Sequence, residues 1–160
     1  MHKLILIRHG DALHPATAMV QGMADPERPL TELGGSQVRA AGAAMAREFS
    51  HKAPVYIVAS PFCRAQQTAS LVYETLKAYQ FEVIAIPQEP SLEPDEDPSS
   101  AASVLTDLLL NQQIAQLVAV SHLPLIESLY LELCAQYPPA QKEHSSFTTA
   151  AWKTIYVPLP

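Results

Sequence analysis

Lys3-Leu4-Ile5-Leu6-Ile7-Arg8-His9-Gly10 is an aliphatic run that closes on an arginine, a histidine and a glycine. A strand with one wet face would alternate apolar and polar positions, so an unbroken run of this length predicts a strand buried on both faces, opening into a loop at His9-Gly10. Two further stretches repeat the pattern. Val55 to Ala59 ends at Ser60-Pro61, and Gln116 to Ser121 ends at His122. Shorter candidates are Glu82 to Ile86 and a closing strand from Ala150 to Val157.

Helical patterns fill the spaces between these strands. Thr31 is a suitable N-cap, and Val38, Ala41, Met45 and Phe49 follow at helical spacing, which predicts a helix to about Phe49. Gly42 lies on the same stripe, where a close packing contact is the expected reason for it. Phe62, Ala65, Ala69, Val72, Leu76 and Tyr79 line one face of a second helix. Ser99 to Leu110 is a third, and the stripe from Leu125 to Cys134 marks a fourth. Residues 11 to 30, with Pro15, Gly22 and Pro26, and the acidic stretch Pro87 to Pro98 read as loops. Strands alternating with helices predict an α/β fold in one domain over residues 1–160, a three-layer sandwich with a mainly parallel central sheet and helices on both faces.

The composition restricts the partners. Ten Lys and Arg against sixteen Asp and Glu give a formal net charge of -6, which argues against a broad nucleic-acid surface, since phosphate backbones are held by clustered cations. The two cysteines, Cys63 and Cys134, are far apart and predict reduced core thiols rather than a disulfide or a zinc site. His2, His14, His51 and His144 lack the close spacing of metal ligands and are expected to be solvated. The apolar run before Arg8 is too short for a signal peptide or a membrane span, so a cytoplasmic monomer is the expectation.

In a parallel sheet, ligands gather beyond the carboxyl ends of the strands. There the sequence sets Arg8-His9-Gly10, Ser60-Pro61-Phe62-Cys63-Arg64 and Ser121-His122. Two guanidinium groups and two imidazoles converging on one sheet edge predict a pocket for a phosphoryl dianion, because guanidinium matches its oxygens with paired hydrogen bonds. A neutral imidazole attacks phosphorus well when its other nitrogen is held by an acceptor, and His9, backed by Gly10, is the candidate nucleophile. His122 would donate to a phosphoryl oxygen.

The pattern Arg8-His9-Gly10-Asp11-Ala12, Arg28-Pro29-Leu30-Thr31, Ser60-Pro61-Phe62-x-Arg64-Ala65-x-Gln67-Thr68, Ser121-His122-Leu123-Pro124-Leu125 and Phe147-Thr148-Thr149 resembles the histidine phosphatase superfamily, and within it the SixA-type phosphohistidine phosphatases. That resemblance implies a phosphoglycerate mutase-like fold with His9 as phosphoryl acceptor. It further implies that Arg8 and Arg64 grip the phosphate, with His122 as the second pocket histidine. It implies no metal and no cofactor, and as substrate a phosphorylated protein, a histidine phosphotransfer domain of a bacterial signalling system. Two departures stand out: Leu92-Glu93-Pro94-Asp95 offers acids where SixA-type enzymes lack a proton donor, and the segment from Asp11 to Arg28 is longer than in a minimal member.

Competing readings follow from the same residues. A small phosphate ester is the alternative substrate if Glu93 or Asp95 serves as general acid, with its pKa raised by burial or neighbouring acids. A phosphate-binding module without turnover is the third. Arg28 either joins the anion pocket or pairs with a carboxylate beside it. Ser60 and Ser121 are either phosphate contacts or turn residues, and the turn role is preferred.

Overall fold

The computed structural model describes residues 1–160. In chain order its elements are β1 (His2–Arg8), α1 (Pro15–Val20), a 3-10 turn (Asp25–Glu27), α2 (Glu32–Met45), β2 (Val55–Ala59), α3 (Cys63–Ala78) and β3 (Val83–Ala85). A second 3-10 turn (Pro90–Leu92), α4 (Pro98–Leu110), β4 (Gln116–Ser121), α5 (Leu125–Gln136) and β5 (Trp152–Val157) complete it. The five strands lie in the order β3-β2-β4-β1-β5. Neighbours are parallel except β5, which runs antiparallel to β1 at the edge.

The aliphatic run of β1 is buried on both sides. Leu4 and Leu6 face one core with α4 and α5, while Ile5 and Ile7 face the other with α2 and α3. All four are fully buried, each adding about 1.5–3 kcal/mol of burial free energy. β4 divides the same way, Leu117 and Ala119 to one side and Val118 and Val120 to the other. These two hydrophobic layers around one sheet are the three-layer sandwich that the sequence predicts.

The differences are local. Residues Pro15–Val20 form a helix where a loop is expected, started by Pro15 in the first turn and capped by His14 Nδ1, which accepts from the Ala16 amide at 3.1 Å. Asp97 caps α4 by accepting from the Ser100 amide, so that helix begins at Pro98. α2 closes at Met45 and the chain turns on to Phe49, which stays in the core. His2 is buried against the Ile114 carbonyl rather than solvated, whereas His51 stays exposed with its ring stacked on Phe81. Both cysteines are half-buried rather than core thiols. No helix is long and apolar enough to cross a membrane.

Glycines bring α2 against the loop after β1. A Cβ at Gly34 would stand 2.0 Å from the Asp11 carbonyl oxygen, and one at Gly10 would stand 2.6 Å from the Gly34 oxygen. Both sites therefore need hydrogen in place of a side chain. A Cβ at Gly42 would stand 3.0 Å from the Thr75 side chain of α3, the close packing expected there.

Candidate active site

β2, β4 and β1 are neighbours, and their carboxyl ends are level. Arg8 pairs with Ser121 and Ala59 with Val120 in the sheet register. The amide of His9 donates to the Ser121 carbonyl and that of Ser60 to the Val120 carbonyl, which extends the ladder one residue past the strands. The topology thus delivers His9, Ser60 and His122 side by side, and α3 starts from the same edge with Arg64 in its first turn.

His9 is buried, with 6% of its surface exposed. Its Nδ1 donates to the Gly10 carbonyl at 2.7 Å, and its Nε2 accepts from Arg64 Nε at 3.3 Å. Both contacts require the same tautomer, with hydrogen on Nδ1 and the lone pair on Nε2. Burial, then the positive charges of Arg64, Arg8 and Arg28, outweigh the Gly10 carbonyl and lower the pKa of His9 to about 4. The ring is neutral near pH 7, and its free lone pair is a nucleophile. Thr68 steadies the loop behind it: its hydroxyl accepts from the Gly10 amide and donates to the Arg64 carbonyl.

His122 lies with its ring centroid 5.1 Å from that of His9. Its Nε2 is 2.8 Å from Ser60 Oγ, and its Nδ1 is buried without a hydrogen-bond partner. Burial first, then the charges of His9 and Arg64, push its pKa down to about 2. Arg8 sends Nη1 to the Phe147 carbonyl at 3.0 Å and keeps Nε buried and unpartnered. Phe147 is itself held by Glu127, which accepts from its amide at 3.2 Å.

Arg64 is 4% exposed and rests over the Phe62 ring. Besides His9, it binds one residue that sequence reasoning missed. Nη1 donates to the Asp25 carbonyl at 2.9 Å and Nη2 to Asp25 Oδ2 at 3.2 Å, while Arg28 Nε donates to Asp25 Oδ1 at 2.8 Å. Burial alone would raise the pKa of Asp25, but its bonds to the two arginines hold it below the ordinary carboxylate value. Arg28 thus pairs with a carboxylate at the border of the pocket, and its Nη1 donates to the Leu13 carbonyl. The signal for Asp25 was its spacing, three residues before Arg28 in a turn led by Pro26.

His9 contacts Arg64 and lies beside His122, the charge of Arg8 acts on His9 and Arg64, and the two acids make no bond to any of them. Glu93 is half-buried and Asp95 exposed, and neither carboxylate makes a hydrogen bond or an ion pair. Glu93 does follow Leu92, whose carbonyl accepts from Ser121 Oγ at 2.8 Å and so ties the turn to the end of β4. Ser121 is therefore a structural hydroxyl. No group of three metal-ligating side chains is gathered anywhere in the fold.

Burying two histidines in the neutral form has a consequence for stability. The unfolded chain takes up their protons near pH 6.5, whereas the folded chain resists until about pH 4 for His9 and about pH 2 for His122. Between these limits the unfolded state binds more protons, so stability is present above pH 6.5 and is lost as pH falls. The expected slope reaches about 1.4 kcal/mol per pH unit for each histidine. Urea unfolding at pH 7.0 and 5.0 measures it; a pH-independent midpoint would mean that the rings are charged or solvated in the native state.

The sequence profile of the histidine phosphatase superfamily (branch 1) matches residues 4–93. The phosphohistidine phosphatase SixA of Escherichia coli (strain K12) is 30% identical over 155 residues, covering 96% of this chain and 84% of that protein. The structure of SixA complexed with tungstate superimposes with a TM-score of 0.70 at 29% identity, covering 95% of this chain and 86% of that one. A mutant phosphoserine phosphatase from Entamoeba histolytica, in complex with phosphoserine, shares the fold with a TM-score of 0.62 at 19% identity, covering 96% and 90% of the two chains.

Proposed function

The chain belongs to the histidine phosphatase superfamily and is a phosphatase, and from that premise we propose that it hydrolyses phosphohistidine on a protein through a covalent phosphoryl group on its own His9. The observation that carries this reading is the state of His9: a neutral buried imidazole whose Nδ1 is held by the Gly10 carbonyl and whose Nε2 lone pair lies against Arg64. In the first step that lone pair bonds to phosphorus while the bond from phosphorus to the substrate imidazole breaks, and the imidazole leaves with the electron pair. In the second, a water oxygen bonds to phosphorus, the Nε2–P bond breaks, and the water proton passes to solvent. Inorganic phosphate and neutral His9 result.

Phosphoryl transfer asks a protein for alignment and for charge against the equatorial oxygens. Arg64, Arg8 and His122 supply these, and the unpartnered Arg8 Nε and His122 Nδ1 are the buried groups suited to an oxyanion. An incoming dianion competes with the Asp25 carboxylate for Arg64. SixA supports the choice of substrate through its similarity along nearly the whole chain, and tungstate, a tetrahedral oxyanion, is what that relative binds. The partner in this reading is a histidine phosphotransfer domain. A phosphoimidazole protonated on its distal nitrogen leaves as neutral imidazole, so no acid is required.

The second reading is hydrolysis of a small phosphate ester, and the half-buried Glu93 beside the end of β4 favours it. Turnover of a phosphohistidine protein and of phosphoserine, measured in wild type and in the Glu93→Gln, Asp95→Asn double variant, decides between them. The expected result is faster phosphohistidine turnover, unchanged in the double variant. A faster ester reaction that the double variant loses would replace the first reading by the second.

A further inference from the structure

We propose that Ser60 is a positioning residue that fixes the tautomer of His122, donating its hydroxyl hydrogen to Nε2 so that Nδ1 carries the hydrogen offered to a phosphoryl oxygen. The inference deepens the phosphatase reading above and rests on it for the identity of the acceptor, but not for the tautomer itself.

The assignment follows from the hydrogen bonds around one buried hydroxyl. Ser60 is fully buried at the end of β2. Its backbone is occupied, the amide by the Val120 carbonyl and the carbonyl by Gln66 Nε2 at 2.8 Å. Its Oγ accepts from the Phe62 amide at 3.3 Å, and the remaining neighbour is His122 Nε2 at 2.8 Å. If Nε2 carried hydrogen, Oγ would receive two donors and its own hydrogen would have no acceptor. That tautomer strands two buried groups, the hydroxyl hydrogen and the Nδ1 lone pair, whereas the other leaves only the Nδ1 hydrogen without a protein partner, and each stranded group costs about 1–3 kcal/mol. With Nε2 as acceptor, the hydroxyl is satisfied on both sides, and the single hydrogen of the neutral ring must sit on Nδ1.

Nδ1 is the ring nitrogen that no protein group reaches, although the residue is only 1% exposed. A hydrogen there suits a ligand made of acceptors, whereas a lone pair would repel it. The two rings, 5.1 Å apart, then offer complementary nitrogens to a ligand. His9 presents a lone pair on Nε2 and His122 a hydrogen on Nδ1, both uncharged. Both rings are thus the Nδ1–H tautomer, set by different neighbours, a carbonyl for one and a hydroxyl for the other.

Ring 15N spectra of the wild-type protein at pH 7 test this directly. The expected pattern for His122 is a protonated Nδ1 and an unprotonated Nε2. Nε2 protonation would overturn the proposal whatever any variant does. In Ser60→Ala the ring is expected to divide between both tautomers, with kcat lower by about 10–100-fold and KM little changed. Ser60→Thr, which keeps a hydroxyl, should restore the wild-type spectrum. A Ser60→Ala protein whose His122 spectrum stays that of wild type would also refute the idea. Acid-labile labelling of wild-type His9 is read alongside: its absence would remove the phosphatase mechanism while leaving the tautomer result standing.

Discussion

His9→Ala is expected to lower turnover at least about 10⁴-fold and to abolish acid-labile labelling of the protein by a phosphorylated substrate. The size follows from the role: the His9 imidazole is the only group proposed to bond to phosphorus. Removing it leaves Arg64, Arg8 and His122 in place, so binding of an oxyanion such as vanadate should survive, and a loss of turnover with retained binding separates chemistry from collapse of the pocket. The substitution also removes one buried neutral histidine, so the variant should lose stability less steeply than wild type as pH falls below 6.5. A labelled, acid-labile adduct persisting in His9→Ala would place the covalent step elsewhere and end this mechanism.

Arg64→Ala is the second large effect, a fall of about 10³-fold in kcat/KM. One guanidinium here engages three different groups: Nε meets His9 Nε2, Nη1 the Asp25 carbonyl and Nη2 the Asp25 carboxylate. Arg64→Lys should recover only a small part, because a single ammonium on a flexible stem cannot hold that planar fork. The same positive charge helps to keep the pKa of His9 down at about 4. Without it the acidic limb of the pH–kcat/KM profile should move upward, a displacement that a purely structural role for Arg64 would not produce. An unshifted limb together with near-normal turnover would exclude Arg64 from the phosphoryl site.

Much of this arrangement was legible in the chain. Residues 4–7 lack polar alternation because they serve two cores at once, which marked a strand buried on both faces, and the alternation of strands with helices pointed to the parallel sheet. Arg8, His9, Arg64 and His122 were readable because each sits at or just past a strand end, and a parallel sheet aligns such ends. Ser60 was visible as a residue but not in its part, since a turn hydroxyl and a histidine partner look alike until β2 and β4 are seen to be adjacent. Asp25 escaped for a related reason. Its contact with Arg64 spans 39 positions, and only its short-range pairing with Arg28 left a trace in the spacing. α1 was missed because Pro15 reads as a breaker, although proline is well tolerated in a first helical turn.

The segment that leads into the edge strand carries a last consequence. Arg8 and the Phe147 carbonyl that anchors it are separated by 139 positions, and the Ala150 amide closes on the His9 carbonyl. The reactive centre is thus clasped by opposite extremities of the same domain. A fragment that keeps His9 but lacks residues 147–150 loses the hydrogen bonds that seat Arg8 and His9, so turnover is expected only once both ends of the fold have come together.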